Sequence, residues 1–214
     1  MIPRLRNASG FTLIEILVTL AISSVVMGGI YQVYNSNQRV YVTQLQVVEM
    51  QQNLRAALYY LTRDVRMAGY DRTDSDNFGI ITASSNSIRF SKDTNEDGTL
   101  DNNEDITYSL YDAYGDGDND LGRRVVTGNN QPVAENIDVI DFVYFDTSGS
   151  TPVANVDDIR SVQITIVARS ALDFNYTDTT VYRNDQGALI LAAQNDNYRR
   201  RTLTARVKCR NMGL

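Results

Sequence analysis

Residues Phe11 to Tyr31 read FTLIEILVTLAISSVVMGGIY, an apolar run with a single charge, Glu15. At about 21 residues it is long enough to cross a hydrocarbon core as a helix, and the chain contains no second run like it. The preceding stretch, MIPRLRNASG, carries Arg4 and Arg6, so the positive-inside bias keeps this end in the cytoplasm and sends the rest across. A cleaved secretory signal would place small residues after the run, and Ala21, Ser23 and Ser24 imitate that pattern only weakly. Glu15 is the odd feature. A carboxylate within an apolar span costs on the order of 2 to 4 kcal/mol and usually answers to a partner, whereas a plain anchor has no use for it.

Composition narrows the function classes. The 214 residues, 43 % of them apolar, allow one domain of ordinary size plus one extended element. Histidine is absent and Cys209 is the sole cysteine, which removes Ser/His/Asp and Cys/His nucleophilic sites, most zinc arrangements and any intrachain disulfide. Cys209 itself reads as a half-buried small hydrophobe. The net charge of −6 arises from 26 acidic against 20 basic residues, and the only lysines are Lys92 and Lys208. A nucleic-acid partner would call for a basic face, so none is expected.

No proline occurs between Pro3 and Pro132. Beyond the span, Tyr41, Leu45, Val48, Leu54, Leu58, Leu61 and Val65 recur at helical steps, which indicates one amphipathic continuation ending near a C-cap at Gly69. From Phe11 to about Met67 the helix would run roughly 85 Å, with Gly28-Gly29 a place to bend or to pack closely. After Gly69 the period changes to two: Ile88 and Phe90; Ile106, Tyr108 and Leu110; Ile140, Phe142 and Tyr144; Val162, Ile164 and Ile166; Leu203, Ala205 and Val207. Such alternation describes half-buried antiparallel strands. The expected fold class is α+β, with an antiparallel β-sheet laid over the C-terminal half of a long helix. The expected segments are a leader, 1–10; a spanning helix, 11–31; its amphipathic continuation, 32–69; and a β-rich head, 70–214.

Gly10-Phe11-Thr12-Leu13-Ile14-Glu15, behind a charged leader and ahead of an apolar run, resembles the start of type IV pilins and pseudopilins. The resemblance implies that a membrane-embedded prepilin peptidase cuts after Gly10 and methylates the new amine of Phe11. It makes Glu15 the fifth residue of the mature chain, placed to pair with the Phe11 amine of an adjacent subunit during assembly. It also implies a structural protein rather than an enzyme, held in the bacterial inner membrane with its head in the periplasm and later built into a filament. The implied partners are minor and major pilins, an inner-membrane assembly platform and a pilus tip protein. The segment Leu61 to Tyr70 and the tail Arg199 to Met212 are similar to minor pilins of the PilW kind, which prime or cap a pilus. A J-type minor pseudopilin of type II secretion is the alternative within the family, and a calcium-dependent tip adhesion module is the alternative outside it.

The calcium expectation comes from Asp93 to Glu104, DTNEDGTLDNNE. Side-chain donors Asp93, Asn95, Asp97, Asp101 and Glu104 fall at positions one, three, five, nine and twelve of an EF-hand loop. Gly98 takes the turn, Thr99 lends its carbonyl and Leu100 is apolar. The flanks SIRFS and ITYSLY read as strands, so only the loop would be present, within a hairpin. The competing reading is a solvated acidic turn. A second run, Asp112, Asp116, Asp118 and Asp120, alternates carboxylates with glycine but lacks the terminal glutamate, and it is the weaker candidate.

Overall fold

The computed structural model describes residues 10–126, 128–150 and 152–213; the leader positions 1–9, with Arg4 and Arg6, lie outside them. Helix α1 spans Leu13–Arg66, 54 residues without a break at Gly28-Gly29. At 1.5 Å per residue that is about 81 Å. Its first turn is closed by Thr12 and its last turn carries Arg63 and Arg66, cations that suit the negative end of the helix dipole.

The exit from α1 is tight. Met67 N donates to Asp64 O at 3.0 Å and Ala68 N to Val65 O at 3.1 Å, both over three residues rather than four. Gly69 then turns left-handed at φ +73°, as expected of the C-cap, and its N–H goes to Ser91 O at 2.9 Å. A Cβ at Gly69 would lie 2.7 Å from Met212 Sδ, so the C-terminal tail also packs against this turn.

The chain forms two compact units, residues 1–45 and 46–214. In the first, the described part of α1 is almost wholly exposed: Leu17 is 54 % exposed, Ile22 59 % and Val26 54 %. Two of its hydroxyls bond to the helix itself, Thr19 Oγ1 donating to Glu15 O and Ser24 Oγ to Ala21 O. That is the economy a lipid environment demands, where no water serves polar groups.

The second unit holds two larger sheets and a small hairpin. β1 (Ile80–Ala83), β2 (Ser87–Ser91), β3 (Asp105–Tyr111), β4 (Asp120–Val125) and β5 (Gln131–Ala134) form an antiparallel meander in chain order. β6 (Ile137–Phe145), β7 (Ser161–Leu172) and β10 (Tyr198–Lys208) form a second sheet in the order β10-β7-β6. Between β7 and β10 lie the short β8 (Tyr182–Arg183) and β9 (Leu189–Leu191), paired with each other. The expectation of one sheet is thus corrected to two. Asn136, at φ +59° between β5 and β6, redirects the chain, and its N–H is caught by Asp120 Oδ1 at 3.1 Å.

One core joins these elements. Met50, Leu54, Ala57, Leu61 and Val65 of α1 cluster with Ile88, Phe90, Ile106 and Leu121 of the first sheet and Phe142, Val162, Ile164 and Ile166 of the second. Burying each of the larger of these side chains contributes about 1.5 to 3 kcal/mol. The buried stripe of the helix starts at Met50, later than the sequence suggests: Tyr41, Leu45 and Val48 have the same periodicity yet are exposed. Cys209 is buried in this core, and burial pushes its thiol pKa up to about 12.

Candidate functional site: the helix start and the acidic loops

Gly10, Phe11 and Thr12 precede the first helical turn, and Phe11 is 87 % exposed. Among the described residues, nothing lies within 4 Å of a Cβ placed on Gly10. The next turn is closed by a pair of side chains, Thr12 and Glu15. Thr12 N and Thr12 Oγ1 donate to Glu15 Oε2 at 2.8 and 2.7 Å, and Glu15 N donates back to Thr12 Oγ1 at 3.3 Å. This is a capping box, and the spacing Thr-x-x-Glu ahead of an apolar run is its signature. Glu15 is therefore anchored to its own helix through one oxygen, while among the described residues Oε1 accepts no hydrogen bond.

The other end of α1 holds a buried carboxylate, Asp64, 1 % exposed. Its Oδ2 accepts from Tyr108 Oη and Arg123 Nε, each at 2.9 Å, and its Oδ1 lies 3.4 Å from Lys92 Nζ. Burial pushes the Asp64 pKa up, but the bond from Arg123, the charge of Lys92 and the Tyr108 hydroxyl outweigh it and hold the group below its ordinary value. Tyr108, pushed up chiefly by its own burial, stays a neutral donor. The arrangement ties the helix to β3, to β4 and to Lys92, the residue that follows β2, at one point. Its signal in the sequence was an aspartate on the apolar stripe, three residues after Leu61.

In the first acidic loop the donors meet partners of their own. Asp93 accepts from Glu96 N at 2.6 Å and Gly98 N at 3.1 Å; Glu104 accepts from Thr94 N at 2.6 Å, Asn95 N at 3.3 Å and Asp101 N at 3.0 Å. Asp93 and Glu104 are accordingly buried. Asn95, Asp97 and Asp101 are brought together, with Asn95 Nδ2 at 3.0 Å from Asp97 Oδ2 and 3.1 Å from Asp101 Oδ2. That amide does for the two carboxylates what a cation would do. Gly98 sits at φ +72°, as a position-six turn requires, and Thr99 N donates to Asp97 Oδ1. Among the described residues, no group of three or more Asp, Glu or Cys side chains is gathered in an arrangement able to hold a metal ion.

The second run is arranged differently. Asp112 accepts from Gly115, Asp116 and Gly117 N–H groups, and Asp120 from Ala113 N and Asn136 N. Asp118 pairs with Arg169 at 3.2 Å, so this loop already contains a protein cation.

A capped, single-span apolar helix running into an antiparallel α+β head defines the class of type IV pilin-like subunits. The fold is similar to that of a solved structure, the type IV-like pilin TTHA1219 from Thermus thermophilus, at TM-score 0.51 and 12 % identity, over 77 % of this chain and 98 % of that one. Residues 5–31 match the prokaryotic N-terminal methylation motif, a stretch that includes Gly10, Phe11 and Glu15. The chain belongs to the family described as prepilin peptidase-dependent protein B, whose model matches residues 43–209. A comparison with individual curated proteins finds no match. Membership makes this a structural protein of the pilin type, anchored by its N-terminal helix, rather than an enzyme.

Proposed function

We propose that this subunit is cut after Gly10, methylated at Phe11 and inserted as a minor pilin into a small complex that primes or caps a filament, with its head outside the cytoplasm. The observation that carries the reading is the first turn of α1. Glu15 is held by Thr12 through Oε2 alone, leaving Oε1 for a cation in a segment where a carboxylate otherwise finds no compensation. The amine released at Phe11 supplies that cation on a neighbouring pilin. The exposed apolar surface from Leu13 to Leu45 supports the same reading, since a helix exposed on every side buries itself in lipid or among other helices.

Glu15 therefore has two roles that substitution separates. Glutamine also closes a capping box, so Glu15→Gln keeps the helix start and removes the charge. Glu15→Gln should be cleaved and inserted normally yet fail to cross-link to neighbouring pilins, and Glu15→Ala should behave alike in assembly. Wild-type cross-linking by Glu15→Gln would overturn the pairing, and an intact mass that includes residues 1–10 would overturn the processing.

For the Asp93–Glu104 loop we propose calcium as an exchangeable ligand. What supports it is the turn at Gly98 and the convergence of Asn95, Asp97 and Asp101. Entry of the ion requires the Asn95 amide to turn its oxygen inward and Glu104 to leave its backbone donors, so the hairpin should stay folded without it.

A further inference from the structure

β10 lies at the rim of the second sheet, bonded to β7 from Arg200↔Arg169 to Lys208↔Ser161. Among the described residues, no backbone group pairs with Arg200 to Lys208 on the outer side. The other rims are short or covered. β1 and β5 have four residues each, β1 with a bulge and β5 with Pro132. The outer edge of β6 is taken by loop partners, with Ile137 N bonded to Asn119 O and Phe142 N to Ser85 O. An open edge running from Arg200 to Lys208 is a template for strand addition.

The charges along this edge select the visitor. In an acidic chain, Arg201 and Lys208 are exposed and make no ion pair among the described residues, and Arg206 bonds only neutral groups, Ser161 Oγ and Gly149 O. Arg200, by contrast, is buried among Asp138, Asp178 and Asp196. A basic rim repels a second copy of itself and attracts an acidic strand. At its C-terminal end the rim opens on a cleft of about 500 Å³ lined by Arg160, Arg206, Lys208, Asp146, Gly149 and Gly213. The carboxylate there, Asp146, is held in its own turn by Ser148 N, Ser148 Oγ and Gly149 N.

We propose that the outer edge of β10 docks an acidic extended segment of a different polypeptide, with one carboxylate seated in the cleft beside Arg160 and Lys208. The inference stands apart from whether the subunit primes or caps a filament. Its test uses the full chain in detergent micelles and two labelled ten-residue peptides, one alternating threonine with glutamate and the other threonine with lysine. The glutamate peptide should bind saturably, weaken about tenfold on going from low to moderate salt, and slow hydrogen exchange of the outward amides between Arg201 and Lys208 while β1 is unaffected. Arg201→Glu with Lys208→Glu should lose binding by tenfold or more. The exchange experiment on the unsubstituted chain decides the matter if that variant folds poorly. Equal binding of the two peptides, no binding at millimolar peptide, unchanged exchange along β10, or cross-links joining two copies of this chain through β10 would each overturn it.

Discussion

The two halves of α1 share one backbone conformation and one periodicity but live under different rules. Up to Leu45 the apolar side chains are exposed on every face; from Met50 they form a single buried stripe, with Met50, Leu54, Ala57, Leu61 and Val65 at 3 % exposure or less. A helical repeat therefore says which residues share a face, and not whether that face is covered within the same chain. Among the described residues the first half finds no cover within its own chain, while the head half is covered by its own sheets.

The largest expected effect that sharpens this contrast comes from Asp64. Asp64→Ala leaves Lys92 and Arg123 without their buried counter-charge and should cost about 3 to 5 kcal/mol, seen as a melting point lowered by roughly 10 °C for the full chain in detergent. Membrane insertion should be unchanged. Because the Asp64 pKa is depressed on folding, its contribution is present above the unfolded value near pH 4 and is lost as pH falls through the folded one. The acid decline of the wild-type melting point should therefore be shallower in the variant.

A slightly smaller effect comes from truncating matched leucines. Leu61→Ala should cost about 2 to 5 kcal/mol, whereas Leu45→Ala should stay within about 0.5 kcal/mol in the isolated subunit and show itself only as weaker cross-linking in a filament. Equal destabilisation by both would break the division between the halves. The smallest effect concerns the acidic loop. At calcium tenfold above its dissociation constant, linkage gives about 1.4 kcal/mol, a melting shift of a few degrees that Glu104→Gln removes. Unfolding of the head in chelator would contradict a loop that closes on its own donors.

What the sequence made legible follows from the reach of each signal. The apolar run, the methylation motif around it and the turn at Gly69 are local, set by a few neighbouring residues, and are legible directly in the sequence. The strands at Ile88, Ile106, Phe142, Ile164 and Ala205 were equally visible, because alternation is local too. Their division between two sheets was not, since pairing joins residues far apart in sequence, as Phe142 to Ile164 and Ala205 to Ile164. The acidic loop shows the same limit: donor spacing was plain, but the competition of Thr94, Asn95 and Gly98 N–H groups for those donors appears only in three dimensions. The Thr12-Glu15 box is legible too, in the spacing Thr-x-x-Glu ahead of an apolar run.

The closing of the first turn by Thr12 and Glu15 has a consequence for the timing of filament growth. Both side chains lie on the C-terminal side of the Gly10-Phe11 peptide, so the bonds that close the helix start are made between Thr12 and Glu15 themselves. If residues 1–10 are removed as proposed, the free amine of Phe11 changes the charge at this end while the Thr12-Glu15 bonds remain available. On the processing proposed above, the cut at Gly10-Phe11 would set when assembly starts, because the turn that begins the helix is closed by Thr12 and Glu15 on its own.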